Sequence, residues 1–472
     1  MPRHREQPGM SETLDQPHRH PEPSGDVPVR ATLPEAPMGL LESYCAARRN
    51  LLEIIPRRAL HQPVLSGRTG PQRWHMLMDP PAIRRVMLEA VGDYPKSVAT
   101  RAVLEPAIGD SLFLAEGDHW RWQRRATAPA FSARSIDALT PVMTRAAEAA
   151  VDRLAASVGR AANMVEHMTA ATFDVIADVT FSEDPGVDRA GVVRALEAYV
   201  DEAARMSILD VFGVPASVPR PARAVAARQL RTMQAEADAA IARRTARGPG
   251  PVPDLLDRLL DAEDGETGRR MDAATLRENL LTFIVAGHET TALTLSWALY
   301  LCAFDQNVQD ALRREAMDTL GDRAAGAGDI GGLPLTRAVI EEALRLYPPG
   351  AFLSRTAQAT DRLSAAVIRP GDTVMIPVWA LHRHRRLWDA PDAFRPGRWL
   401  EGPRPDRWQY LPFGDGPRIC IGMRFALQEA TIILATLLAR YRLTPVPGRA
   451  PKPVMILTTR PEGGVWLNVE RV

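Results

Sequence analysis

The chain has 472 residues, 46% of them hydrophobic and 24% charged, the make-up of a globular protein with material for a substantial core. Lys and Arg total 58 against 57 for Asp and Glu, a formal charge of +1, which argues against a nucleic-acid binder with its basic excess. Three scattered cysteines, Cys45, Cys302 and Cys420, cannot form a disulfide framework, so a reducing, cytoplasmic setting is expected.

Residues 1–37 are polar and broken by eight prolines from Pro2 to Pro37, so a disordered tail is expected there, with His18 and His20 solvated. No apolar segment follows Arg3 to Glu6, as a secretory signal requires, and no apolar run approaches the roughly 18–20 residues of a membrane span. Apolar residues at 3.6-residue spacing then predict helices over 136–154, 222–246 and 272–304. Residues 248–253 and 261–268 read as loops, and short strands are expected at 373–378, 454–458 and 465–469. There is no internal repeat and no long linker. The length alone suggests about three domains; the pattern instead predicts one mainly α domain with a small β region over residues 38–472.

The 272–304 helix is unusual. At 1.5 Å per residue it is about 50 Å long, and Leu280, Leu281, Phe283, Ile284 and Val285 make it apolar on nearly every side, so it must cross the core. Gly287, His288, Glu289, Thr290 and Thr291 interrupt it. Two readings fit. One is a packed polar network in which Thr290 bonds back to the Ala286 carbonyl; the other is a polar notch, opened by Ala286 and Gly287, facing a cofactor.

Cys420 has the most informative surroundings, Phe413-Gly-Asp-Gly-Pro-Arg-Ile-Cys420-Ile-Gly422, followed at once by a periodic helix. A thiol at a helix N-terminus beside Arg418 is biased toward thiolate. No second Cys or spaced His supports a zinc site, and no local His supports a cysteine nucleophile. Cys45 and Cys302 read as core fillers.

The spacing Phe413-x-x-Gly416-x-Arg418-x-Cys420-x-Gly422 resembles the haem-thiolate loop of the cytochromes P-450. Three further segments follow the same family's order: Ala286-Gly-His-Glu-Thr-Thr291, Glu342-Ala-Leu-Arg345, and Phe394-x-Pro396-x-Arg398-Trp399. Trp120-x-x-x-Arg124 is also similar to it. The resemblance runs from about residue 38 to the C-terminus. It departs from the family at Gly397 and Trp399, where Glu and Phe are frequent, and at Leu381-His-Arg-His-Arg-Arg386, which leaves the role of His382 open.

The resemblance implies one haem-enclosing domain binding haem b, with Cys420 as the iron ligand, Phe413 packed beside the sulfur, and Gly416 and Gly422 keeping the loop close to the porphyrin. A thiolate ligand favours O–O cleavage, a role the family itself exemplifies. Thr290 and Glu289 would hold water and relay protons, while Ala286 and Gly287 would leave space for O2; His288 would face another helix. Glu342, Arg345 and Arg398 would form a structural cluster pinning the Cys420 loop. Trp120, Arg124, Arg355 and Arg418 would bind the haem propionates. Phe283, Val285, Ala351, Phe352, Leu353, Leu457 and Thr458 would line an apolar pocket for a fatty acid, alkane or terpenoid.

The expected activity is O2-dependent monooxygenation. The haem domain accounts for the folded chain, so electrons are expected from a separate ferredoxin or flavodoxin with its reductase, docking near Arg121, Arg125, Arg418 and Arg424. A haem-thiolate isomerase, dehydratase or peroxygenase working without a reductase is the alternative. A haem-binding sensor would leave the proton-delivery segment unexplained.

Overall fold

The computed structural model describes residues 27–36, 38–181, 191, 221–250 and 252–472. The principal helices are α1 (Leu40–Arg49), α2 (Val98–Ile108), α3 (Gly117–Thr127), α4 (Ala133–Ala155), α5 (Met164–Phe181), α6 (Pro221–Arg247), α7 (Ala273–Phe304), α8 (Gln306–Leu320), α9 (Pro334–Leu346) and α10 (Met423–Arg440). The fold is mainly α with small sheets. The three predicted helices appear as α4, α6 and α7, each within three residues of its expected ends.

Helix α7 starts where its chemistry says it should. Asp272 accepts the Thr275 N–H at 2.8 Å and caps the first turn. Leu280, Leu295, Trp297, Leu299 and Leu301 are fully buried along it, and α5, α6, α9 and α10 pack around it. A helix apolar on all sides has no solvent face to offer, so the others wrap it.

The chain forms more strands than its sequence pattern predicts. A four-stranded sheet runs in the order β1 (Val64–Thr69), β2 (Gln72–Leu77), β7 (Thr373–Ile376), β4 (Leu353–Thr356). A second sheet pairs β3 (Ala161–Asn163), β11 (Trp466–Arg471) and β8 (Tyr441–Pro445). Two hairpins complete the β structure, β5 (Asp361–Leu363) with β6 (Ala366–Ile368), and β9 (Lys452–Met455) with β10 (Thr459–Glu462). The strand expected at 454–458 is displaced, because residues 456–458 form the turn of the β9–β10 hairpin. Most of these strands are three to six residues long, too short to establish a period of two.

The boundary expected at residue 37 falls too late. Val29 donates its N–H to the Tyr300 hydroxyl at 3.0 Å and accepts the Tyr347 hydroxyl at 2.6 Å. Arg30 pairs with Asp392 at 2.8 Å, and Val29, Ala31 and Leu33 pack on the core. Prolines suppress regular structure but do not prevent an extended strap from docking on an aromatic cluster, here Trp297 stacked on Tyr347 at 3.9 Å. The expected tail before residue 27 lies outside the described residues.

Candidate active site

Between α7 and the segment leading into α10 lies a cavity of about 350 Å³. Its α7 wall is Thr282, Phe283, Ala286, Gly287, Thr290, Thr291 and Thr294, one stripe at helical spacing. Ala286 is exposed although it sits mid-helix in the core, because it faces this space. Phe413, Gly414, Cys420 and Gly422 form the opposite wall. Cys420 is deep within the protein yet its residue surface is accessible, as expected of a side chain that opens into the cavity.

The loop before Cys420 is folded by its own backbone. Cys420 N–H donates to the Phe413 carbonyl at 2.9 Å, and Gly414 N–H to the Leu411 carbonyl at 3.1 Å. Gly416 has φ +71°, and a Cβ there would lie 2.2 Å from the Met87 carbonyl oxygen, so only glycine fits. At Gly422 a Cβ would meet only the Cys420 sulfur, at 4.0 Å, so no protein wall demands glycine there. Burial pushes the Cys420 thiol up, opposed by the Gly422 and Met423 N–H groups and by Arg124. The expected thiolate bias is therefore outweighed by burial in the protein alone, and the helping cation is Arg124 rather than Arg418.

Cations gather at one end of the cavity, where Trp120, Arg124, Arg355, Arg418 and Lys96 all reach its lining. Arg418 is already engaged: it pairs with Glu116, donates to the Ala115 carbonyl at 2.7 Å, and lies 4.2 Å from the Trp120 ring centre. Arg355 is buried, and among the described residues its guanidinium has one hydrogen bond, to the Ser354 carbonyl at 2.9 Å. Neither Arg355 nor Arg124 has a carboxylate partner among the described residues. Lys96, absent from the sequence-derived set, stands 4.2 Å from the Phe113 ring centre, and burial beside Arg355 and Arg418 lowers its pKa. Its signal in the sequence was rarity: only Lys96 and Lys452 are lysines.

On α7 the bond back to Ala286 is present and the helix face that bears it lines the cavity. Thr290 donates to the Ala286 carbonyl at 2.7 Å, and the residue lines the cavity. Glu289 does not accompany it. Its carboxylate accepts Thr458 Oγ1 at 2.8 Å and Arg460 Nε at 2.7 Å, and is not part of the lining. One residue along a helix is a turn of about 100°, which carries Glu289 away from the stripe that bears Thr290. His288 is buried against Phe173 of α5, ring to ring at 6.0 Å and nearly perpendicular.

Of the expected pocket residues, Phe283 and Leu353 line the cavity, whereas Val285, Ala351, Phe352, Leu457 and Thr458 do not. Val285 is off the α7 stripe, Ala351 is fully buried, and Thr458 is turned to Glu289. Leu112, Phe113, Phe131, Ile176 and Val179 supply apolar wall that the sequence did not indicate. They come from three separate elements whose convergence is a tertiary fact.

Glu342 is a fully buried hub. It accepts Arg345 Nε and Nη2 at 2.8 Å each, Arg398 Nε at 3.0 Å, the Arg395 N–H at 2.9 Å and Trp399 Nε1 at 2.9 Å. Trp399, a departure from the family pattern, is thus a further donor. The bond to the Cys420 segment itself comes from His382. Its Nε2 accepts the Leu411 N–H at 2.8 Å, and Nδ1 lies 3.1 Å from the Arg345 carbonyl. Burial and Arg345 hold this imidazole neutral, so Nδ1 carries the proton.

The expected docking arginines are largely neutralised. Arg125 makes a bidentate pair with Asp264 at 2.6 and 2.8 Å, Arg121 pairs with Asp118 at 2.6 Å, and Arg424 lies 3.6 Å from Asp137. Cys302 is buried as expected, but Cys45 is exposed on α1 and is not core.

The lining suits a haem. It holds one thiol, and no group of three or more potential metal-ligating side chains occurs among the described residues, so a metal here must bring its other ligands with it. Buried Arg355 and half-buried Arg124, without carboxylates, suit an acid-bearing edge. The cytochrome P450 family model matches residues 43–468. The chain is 32% identical to cyclooctatin synthase of Streptomyces melanosporofaciens over 88% of this chain and 90% of that protein. It is 31% identical to cyclooctat-9-en-7-ol 5-monooxygenase of the same organism, over 87% and 88%. A cytokinin hydroxylase of Arabidopsis thaliana is 30% identical over 76% of this chain and 71% of that one. Among solved structures, the haem domain of cytochrome P450DA superposes with a TM-score of 0.77 at 26% identity, covering 87% of this chain and 89% of that one. No helix among the described residues is long and apolar enough to cross a membrane.

Proposed function

Because this chain belongs to the cytochrome P450 family, and is a haem-containing monooxygenase of it, we propose that it inserts one oxygen atom from O2 into an uncharged, terpenoid-like molecule. A separate ferredoxin or flavodoxin supplies the electrons, and the setting is the cytoplasm. The observation that carries the substrate class is the distribution of charge in the cavity. Every cation among its described lining residues lies in the Lys96, Arg124, Arg355 and Arg418 cluster, while Leu112, Phe131, Phe283 and Leu353 offer only apolar surface. A fatty acid would find a partner for its carboxylate only at that cluster, in competition with the haem acids, and none along those apolar walls. The name of one relative, cyclooctat-9-en-7-ol 5-monooxygenase, is that of an enzyme acting on an alcohol and supports an uncharged substrate.

In this reading Cys420 is the iron ligand, and Trp120, Arg124 and Arg355 hold the propionates. When bound, the haem supplies activation of O2. The protein's part is to position and to deliver protons. Thr290 spends its hydroxyl hydrogen on the Ala286 carbonyl, so its oxygen accepts; a cavity water bound there donates one hydrogen to Thr290 and keeps the other for the cavity. Ala286 and Gly287 leave the space beside it. Glu289 acts only after leaving Thr458 and Arg460. That engagement is also the observation that favours the second reading, a haem-thiolate isomerase, dehydratase or peroxygenase needing no reductase.

Spectroscopy separates these readings. The reduced, carbon-monoxide-bound protein is expected to show a thiolate-type Soret band that disappears in Cys420→Ala; its persistence would overturn the ligand assignment. A panel of paired alcohols and acids on the same cyclic skeleton, read by the spectral shift of the haem, should favour the alcohols. Turnover by added peroxide without any reductase, at the rate of the reconstituted system, would decide for the second reading.

A further inference from the structure

The loop that carries Leu112 and Phe113 into the cavity is not held by packing alone. Four consecutive residues of it, Gly109 to Leu112, are clamped to one short stretch of α7. Asp110 N–H donates to Glu278 Oε2 at 3.1 Å, and Leu112 N–H donates to Asn279 Oδ1 at 3.0 Å. The Ser111 and Thr282 hydroxyls lie 2.8 Å apart. Gly109 has φ +55°, and a Cβ there would sit 2.1 Å from the Glu278 carboxyl carbon, so the loop lies flat on that side chain.

The clamp extends to a third element. Asn279 Nδ2 donates to Gln123 Oε1 at 2.9 Å, and Gln123 Nε2 donates to the Asp110 carbonyl at 3.0 Å. Both amides are wholly buried. Gln123 lies on α3, the helix that also carries Trp120 and Arg124 to the cationic end of the cavity. A buried amide whose donors and acceptor are all satisfied has one arrangement to offer, because any shift leaves polar groups unpaired. Glu278, Asn279 and Thr282 recur at one and four residues along α7, so they share a face just N-terminal to the stripe that lines the cavity. Thr282 belongs to both.

We infer that Asn279, with Gln123 and Thr282, is a specificity-determining clamp: it fixes the position of the Leu112–Phe113 wall and thereby sets which shapes the pocket accepts. Asn279 is a positioning residue, touching neither substrate nor cofactor. The inference rests on reading this cavity as the haem and substrate pocket.

Two nitrogen ligands that both bind the haem iron but differ in bulk test it. Imidazole is small enough to ignore the wall; 4-phenylimidazole must fit against it. In Asn279→Leu, which keeps the volume and removes the amide, imidazole should bind within about twofold of the parent, whereas 4-phenylimidazole should weaken by about tenfold, the size of one buried hydrogen bond. The thiolate-type carbon monoxide band should be unchanged. An unchanged ratio of the two affinities would overturn the clamp. Absence of that band from the parent protein would instead overturn the haem-thiolate reading, so the two failures are distinguishable. Should Asn279→Leu not take up haem, Ser111→Ala cuts the same clamp from the loop side, and the same ratio decides.

Discussion

Thr290 has a single hydroxyl hydrogen, and the Ala286 carbonyl takes it at 2.7 Å. What remains toward the cavity is an acceptor. Thr290→Ala should therefore leave haem binding intact while reducing the share of electrons that reach product, by about tenfold or more, with peroxide accumulating instead; the ratio of product to NAD(P)H consumed measures it, and an unchanged ratio would remove Thr290 from proton handling. Another residue acts on stability alone. Glu429 of α10 is almost wholly buried, its Oε1 finds no hydrogen-bond partner among the described residues, and burial raises its pKa well above the usual carboxylate value. A carboxyl raised in the folded state contributes fully below its unfolded pKa, and that contribution is lost as pH climbs through the folded value. Glu429→Gln removes the loss. Its Tm should exceed the parent's by a few degrees at pH 7 and match it at pH 4, a comparison that thermal melts at the two pH values make directly.

Elements are joined to the active site by bonds that the motifs do not contain. The Glu342–Arg345–Arg398 cluster was legible because three charged residues stand at recognisable spacings. Its connection to the Cys420 loop was not, because His382 is 29 residues from the Leu411 N–H that it accepts, and no local pattern announces such a bond. His382→Leu should cost haem-thiolate integrity rather than folding: at equal haem content, the carbon monoxide spectrum should shift toward an inactive, non-thiolate form. His382→Gln, which can still accept from Leu411 and donate to the Arg345 carbonyl, should restore most of it. Equal spectra for the two variants would mean that His382 only fills space. The same logic separates Glu289 from Thr290. Adjacent in sequence, they face a hairpin and a cavity respectively, because helical geometry, not proximity in the chain, assigns their neighbours.

At the scale of the molecule, α5, α6, α9 and α10 pack around one central helix, and a strap from residues 27–36 is drawn onto it through Tyr300 and Tyr347. A chain starting at Met38 is expected to melt several degrees below one starting at Val27, since the strap's backbone bonds, the Arg30–Asp392 pair and the contacts of Val29 and Leu33 are lost together. Coincident melts would show that the strap contributes nothing.

Composition, the long apolar helix with its polar interruption, and the spacing around Cys420 were enough to establish a mainly α haem protein and its family. These are local signals, in which residues acting together lie within a dozen positions of one another. The cavity's walls, the engagement of Glu289 by Arg460, the capture of Arg418 by Glu116, the place of Lys96 and the clamp on Gly109 to Leu112 were decided only when distant segments met. Each depends on which side chain reaches which partner across 100 residues or more, and that is settled by packing geometry rather than by any pattern along the chain.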